Sequence, residues 1–200
     1  GIPTASFVAV IGAAGLAIGM ALSGTLQNFA GGVVLLVIRP FRVGDAIKTQ
    51  NFEGSVKEIR IFQTILVTPD NLTVFIPNGK LVNESILNYS TQGTRRVDLT
   101  FGIGYNDDVE HARTVLLGLI DKDSRVLKTP VPAVILQNLG DSTVDVQARF
   151  WVATSDHFRV SCDLREQAKK AFDAEGISFP FPQRDYHLIR AAAEPAAAGG

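Results

Sequence analysis

The chain of 200 residues has one cysteine, Cys162, which excludes an internal disulfide framework and any cysteine-based structural zinc site. Its three histidines, His111, His157 and His187, are scattered and form no ligand cluster. No metal site and no cofactor are therefore expected. Neither sign of charge is in excess, with 19 Lys and Arg against 20 Asp and Glu. A dedicated nucleic-acid binder carries a basic surplus, so nucleic acid is not expected among the partners. What is present, 46% apolar residues with 18 Gly and 9 Pro, is the composition of folded protein rather than disorder.

The most informative absence is local. Residues 1–38 contain no Asp, Glu, Lys, Arg or His, and every charged residue of the chain lies at or after Arg39. A run of about 20 apolar residues already suffices to cross a bilayer core. A cleavable signal peptide is a poor reading, because the run is too long and has neither an initiator Met nor a basic n-region ahead of it. Without that Met, the chain is expected to begin inside a longer protein, with further segments ahead of it. The bland alternative is the buried core helix of a soluble domain.

The run is unusual for a lipid-facing helix, since it holds seven Gly and seven Ala. Small residues let helix backbones approach closely in membranes, where packing drives association. Winding the segment at about 100° per residue, with Leu16 at zero, puts Met20 near 40°. Gly12, Gly15 and Gly19 then fall between about −40° and −100°, and Ala13, Ala17 and Ala21 between about 60° and 140°. Phe7, Ile11, Ile18 and Leu22 gather between about 180° and 240°, at the back. The Ala side of one copy can pack against the Gly side of the next, a heterologous contact that closes into a ring when the rotation permits. Leu16 and Met20 would then face the ring axis. Helix packing is assigned to Ala9, Gly12, Ala13, Gly15, Ala17, Gly19 and Ala21. A small-xxx-small dimer is the alternative, but it needs only one small stripe.

At 1.5 Å per residue the run would span about 57 Å, nearly twice the hydrocarbon thickness. Glycine weakens helix interiors and kinks gather at Gly/Ser pairs, so breaks are expected at Ser23-Gly24 and Gly31-Gly32. Residues 3–23 read as the spanning stretch and 25–38 as an amphipathic stretch at the interface, with Gly24, Gly31 and Gly32 as hinges. Pro40 ends the helix, and Arg39 and Arg42 mark the cytoplasmic side.

From Val43 the pattern changes to period two. Residues 45–49, 54–59, 62–68 and 72–77 read as short strands separated by turn signals, and a set of four or five suggests a small barrel or sandwich. Gly79 after Asn78 is expected to take positive φ in a turn. From Arg95 onward Val97, Leu99, Phe101 and Ile103 alternate as a half-buried strand. Asp107 with Glu110 resembles a capping box opening a helix. Residues 133–139 and 144–152 read as strands, and 159–175 as a helix ended by Gly176. This β-α-β-β-α order matches a split βαβ, ferredoxin-like layer. Residues 185–189 form one more candidate strand, which would pair between copies around an axis, and residues 191–200 read as a disordered tail. Trp151 is expected in a core or interface. No Ser/His/Asp or Cys/His set is brought together, Asp121, Asp123 and Asp141 are expected to be solvated, and enzyme activity is not expected.

Four stretches then carry a resemblance. Residues 12–21 (GAAGLAIGMA), 39–45 (RPFRVGD), 76–80 (IPNGK) and 176–182 (GISFPFP) strongly resemble, in order and in register, the small-conductance mechanosensitive channels of the MscS family. The resemblance implies a homo-heptamer in the inner membrane of a bacterium, multi-pass, with everything after residue 39 in the cytoplasm. It implies a fold class of a Gly/Ala-rich transmembrane pore helix (1–38) followed by α+β. An Sm-like β domain (39–94), a cytoplasmic αβ cage domain (95–182) and a C-terminal strand (183–190) of a barrel shared between the copies make up the rest. Leu16 and Met20 correspond to the two leucine rings that narrow the family's pore, the second being a departure. The implied partners are other copies of the chain, membrane lipid, and permeating ions and small osmolytes released on hypo-osmotic shock. The alternatives from other classes are a membrane-tethered Sm-like RNA binder, disfavoured by the balanced charge, and a scaffold that conducts nothing.

Overall fold

The structure, a computed structural model, describes residues 4–49, 51–184 and 186. It divides into two compact units between Arg95 and Arg96. The first begins with α1, Thr4–Ile38, one helix of 35 residues. This differs from the expected pair of stretches: the helix is unbroken through Ser23-Gly24 and Gly31-Gly32. The reason is that glycine costs a helix interior about 1 kcal/mol relative to alanine yet keeps its N–H in the ladder. No proline lies between Pro3 and Pro40 to remove one. The end is sharp. Arg39 adopts φ +54°, its N–H donates to the Leu35 carbonyl at 3.0 Å and its Nε to the Leu36 carbonyl at 3.1 Å.

Five short strands follow, β1 (Ala46–Lys48), β2 (Glu53–Ile59), β3 (Gln63–Val67), β4 (Thr73–Pro77) and β5 (Leu87–Asn88), interrupted by the short helix α2 (Asn78–Val82). The pairings are antiparallel and the order is β4-β3-β2-β1-β5, with a register shift between Val56 and Glu58 that bends β2. Ile47, Val56, Leu66 and Ile76 point to one side and bury against Phe41, Leu81 and, from α1, Leu35. The foot of the long helix is therefore part of this core. Gly79 lies inside α2 and is absent from the positive-φ residues, so the expected turn there is corrected to a helix start.

The second unit contains most of β6 (Thr94–Ile103), then α3 (Val109–Lys122), β7 (Val126–Leu127), β8 (Ala133–Leu139), β9 (Val144–Ala153), a 3-10 turn at Thr154–Asp156, and α4 (His157–Ala174). β9 is the central strand. It neighbours β6 and pairs antiparallel with β8 along Val144–Arg149 and with β7 along Trp151–Val152. Val144, Val146, Ala148, Phe150 and Val152 alternate inward against Leu116 and Ile120 of α3 and Leu164, Ala168 and Phe172 of α4. Trp151 is half-buried. The α3 N-cap is Asp108, whose carboxylate accepts from the Glu110 N–H at 2.8 Å, one residue later than expected from Asp107. Gly176 at φ +73° ends α4, and the Ile177 N–H closes back on the Phe172 carbonyl at 2.9 Å, the Schellman pattern. The two-residue strands β5 and β7 and the short α2 have too little periodicity to be read from sequence. The expected strand at 185–189 and the tail at 191–200 lie outside the described residues, apart from Tyr186.

Phe172 is fully buried with its ring 5.9 Å from Phe101 and 5.4 Å from Phe179. Truncating such a phenylalanine costs about 3–5 kcal/mol. Phe172→Ala is therefore expected to lower the urea midpoint of the detergent-solubilised chain, followed by Trp151 fluorescence, while Phe158→Ala, at a position 77% exposed, leaves it in place. Equal midpoints would show that Phe172 does not anchor this core.

Candidate pore helix and its anchorage

The helix α1 lives in two environments. From Thr4 to Gln27 every residue is exposed, and a Cβ placed on Gly12, Gly15, Gly19 or Gly24 would meet nothing within 4 Å. Mean hydropathy over the most apolar 18 residues is 2.1, long and apolar enough to cross a membrane, and none of that window is buried. Burial is what a soluble core helix of this composition would show. The packing candidates Ala9, Gly12, Ala13, Gly15, Ala17, Gly19 and Ala21 thus keep both small-residue flanks free. Leu16 and Met20, 65% and 64% exposed, sit one turn apart between them. The fold brings none of these residues against another element of the described chain. A contiguous apolar surface of this size marks a membrane or protein interface. Ser23, one of the hydroxyls within the apolar run, is satisfied inside the helix by donating to the Met20 carbonyl at 2.9 Å.

Below Gln27 the same helix is gripped. Gly31 and Gly32 are buried against the Asn78-Gly79 backbone and the Ile61 carbonyl. A Cβ on Gly31 would stand 2.8 Å from Asn78 C and Gly79 N; one on Gly32 would overlap the Ile61 oxygen and stand 2.7 Å from Asn78 Nδ2. From the other side, a Cβ on Gly79 would reach Asn28 Oδ1 at 2.9 Å. Gly31 and Gly32 are needed because two backbones touch with no room for a side chain between them, while Gly79 faces the side chains of Asn28 and Gln27. Gly31 and Gly32 therefore act as contact positions, a correction to their reading as hinges.

Asn78 organises this contact. It is fully buried, and its Nδ2 donates to the carbonyls of Arg60 at 2.8 Å and Ile61 at 3.1 Å. Its Oδ1 accepts from Thr64 Oγ1 at 2.8 Å, and its N–H donates to the Phe62 carbonyl at 3.0 Å. The next residue, Gly79, donates its N–H to Asn28 Oδ1 of α1 at 3.0 Å, and Phe29 of α1 lies 6.3 Å from the Phe62 ring. Buried polar groups are stable only when paired, and both polar atoms of the Asn78 side chain have partners. Sequence reading missed Asn28 and Asn78. Asn78 hides inside a Pro-Asn-Gly that reads as a turn, whereas Asn28, a lone carboxamide beside Gln27 near the end of an apolar helix, is a usable signal.

Titratable chemistry lies elsewhere. Burial works against ionised Asp107, but donation from Ser178 Oγ at 2.7 Å, from the Ser178 N–H at 2.9 Å and from the Gly104 N–H at 2.8 Å outweighs it and holds the carboxyl below its ordinary range. Asp123, expected in solvent, is instead largely covered, its side chain 9% exposed. The Arg125 guanidinium that reaches it at 2.7 Å, and Asp163 at 2.8 Å, holds its carboxyl low. Both are structural ties rather than reactive groups. No group of three or more metal-ligating side chains occurs among the described residues, and Cys162 is exposed and unpaired with another cysteine.

Residues 24–91 match the family model described as the mechanosensitive ion channel beta-domain, and residues 97–179 that of the MscS C-terminal region. A protein of Synechocystis known only by its MscS family name is 45% identical over 95% of this chain and 64% of its own length. The small-conductance mechanosensitive channel of Edwardsiella ictaluri is 40% identical over 90% of this chain and 63% of its own. The chain thus spans a little under two thirds of these curated relatives. The crystal structure of Helicobacter pylori MscS in the closed state superposes with a TM-score of 0.90 at 30% identity, covering 95% of this chain and 76% of that one.

The glycine contact makes a local prediction. Gly32→Ala should force α1 away from Ile61 and Asn78, an overpacking that costs about 1–3 kcal/mol, and speed hydrogen exchange of the amides of residues 28–38. Gly24→Ala, in open space, should leave those amides as protected as before. Identical exchange in the two variants would remove Gly32 from the anchorage.

Proposed function

This chain belongs to the MscS family of mechanosensitive ion channels, and we propose that residues 4–23 of α1 line a pore opened by membrane tension. It is a membrane protein of a channel family rather than of an enzyme class. The observation that carries the proposal is the division of α1: a foot locked into a folded domain, and above it two bare small-residue flanks around the stripe of Leu16 and Met20. Copies packed Ala flank to Gly flank form a ring, a heptamer by analogy with the family, with Leu16 and Met20 as successive constrictions and Phe7, Ile11, Ile18 and Leu22 facing outward. A narrow apolar ring excludes water and so blocks ions without any specific ligand. Tension shifts the equilibrium because the open state occupies more membrane area, just as a ligand shifts it through differential affinity. Gly24, with nothing near it, is the point at which the upper helix can tilt while its foot stays clamped. The pore would release ions and small osmolytes on hypo-osmotic shock. It would lie in a bacterial inner membrane as a multi-pass protein, with everything after residue 39 in the cytoplasm.

Single-channel recording under graded suction, with the full-length protein, tests this reading. Leu16→Ser is expected to lower the opening threshold or leave a standing leak, because a polar ring rewets the constriction. An unchanged threshold would remove Leu16 from the gate.

Met20 is unbranched and flexible, so it closes a constriction less sharply than leucine. Met20→Leu, a swap of similar volume, is expected to raise the tension needed for opening and lengthen closed intervals at nearly unchanged open conductance. Equal thresholds and closed times would mean that Met20 does not control the pore.

A further inference from the structure

Where α1 ends, the chain makes a tight turn. Asp45 N–H donates to the Arg42 carbonyl at 3.1 Å, Gly44 sits at φ +95°, and the Asp45 carboxylate reaches back to accept from the Arg42 N–H at 2.9 Å. Forty-three residues later the chain returns to this spot at Asn88, the last residue of β5, just before it continues into the second unit. The Asn88 carboxamide uses all its hydrogen-bonding capacity here. Its Nδ2 donates to Asp45 Oδ2 at 2.8 Å and to the Pro40 carbonyl at 3.3 Å. Its Oδ1 accepts from the N–H groups of Ser90 at 2.8 Å and Thr91 at 3.1 Å. The partners fix the amide's orientation, since two are pure acceptors and two are pure donors. Two further bonds rivet the outgoing chain to β1: Ser90 Oγ accepts from the Ala46 N–H at 3.0 Å, and the Tyr89 N–H donates to the Ala46 carbonyl at 2.9 Å.

We infer that Asn88 is a positioning residue for gating: one carboxamide binds the turn that terminates the pore helix to the chain that leads onward to the second unit, so that turn and outgoing chain move as one body. The inference rests on the pore reading above for its functional consequence, and on geometry alone for the clamp. No other side chain of this size supplies two donors and two acceptors without charge. Aspartate at 88 keeps the acceptor half but sets a carboxylate against that of Asp45; alanine loses both halves. Breaking the clamp frees the exit of α1 from the outgoing chain, which lowers the work of moving that exit and favours opening at lower tension.

The test exploits the near-symmetry of the pair. In Asp45→Asn/Asn88→Asp the donor and acceptor exchange places: the carboxamide at 45 donates to the carboxylate at 88, which still accepts from Ser90 and Thr91, while the Pro40 bond and the Arg42 N–H bond, which ends on the same Asp45 oxygen, are lost. The full-length protein is recorded under graded suction as wild type, Asn88→Asp, Asn88→Ala and the double variant. Hydrogen exchange of residues 40–46 and 88–91 is measured on the same four proteins. Because the bond persists in both states, its own energy cancels from the equilibrium; the effect read at fixed tension is a higher open-to-closed ratio, seen as a lower opening threshold, from releasing the outgoing chain. Both single variants are expected to open at lower tension with unchanged conductance, to exchange faster in both segments, and to be restored in part, the Arg42 amide excepted, by the exchange of the pair. Unchanged exchange and unchanged thresholds in Asn88→Asp would overturn the clamp, as would a double variant no better than the worse single one. Faster exchange with unmoved gating would likewise overturn the gating role. Should the wild type never open under suction, the pore reading fails, and the exchange of the four proteins still decides whether the clamp exists.

Discussion

The contact between Gly31-Gly32 of α1 and Asn78-Gly79 of α2 is the constraint on which the first unit depends. It is a backbone-to-backbone approach, and it sets the foot of a 35-residue helix into a small sheet. With the helix held there, Leu35 reaches the core beside Phe41, Ile47 and Leu66. The carboxamide of Asn78 can then span to the β2–β3 turn at Arg60 and Ile61. A methyl group at either helix position would have to be accommodated by main chain rather than by a flexible side chain, which is why only glycine fits.

The same residue type serves two opposite ends in one helix. At positions 12, 15, 19 and 24 glycine leaves space that the chain itself does not use, whereas at 31 and 32 it removes an obstacle inside the fold. One group leaves the helix surface bare; the other is committed to a close backbone contact. A helix that is free above and fixed below can transmit a change in its upper packing only through its foot, and the foot is where the polar ties concentrate: Asn28 to Gly79, Arg39 to its own last carbonyls, and Asn88 to the turn that follows. Charge begins only at Arg39, the second of those ties.

Much of this was legible in the residue pattern because it rests on periodicity and composition. The absence of charge before Arg39 marks the long helix, and period-two stretches place β1 to β4 and β6, β8 and β9 within a residue or two. The cap signal at Asp107 and Glu110 places the start of α3 within a residue. Where reading failed, the deciding interaction was distant in sequence or too small to have a period. Gly79 has the local grammar of a turn, but its neighbour Asn78 is held by Thr64 and the Arg60–Ile61 carbonyls, and a helix starts there instead. Asp107 has the spacing of a cap, but its carboxylate is taken by Ser178, 71 residues away, and Asp108 caps in its place.

The residue order by itself therefore determined which parts are apolar, which are strand and helix, and which face of α1 carries Leu16 and Met20, because each follows from neighbours within two turns or one strand. Tertiary structure alone decided what the glycines at 31, 32 and 79 are for, and which asparagines carry the joint. A carboxamide or a missing side chain has no preferred partner until another segment is brought within about 3 Å of it. That proximity is set by the packing of the sheet against the helix foot, not by any local spacing.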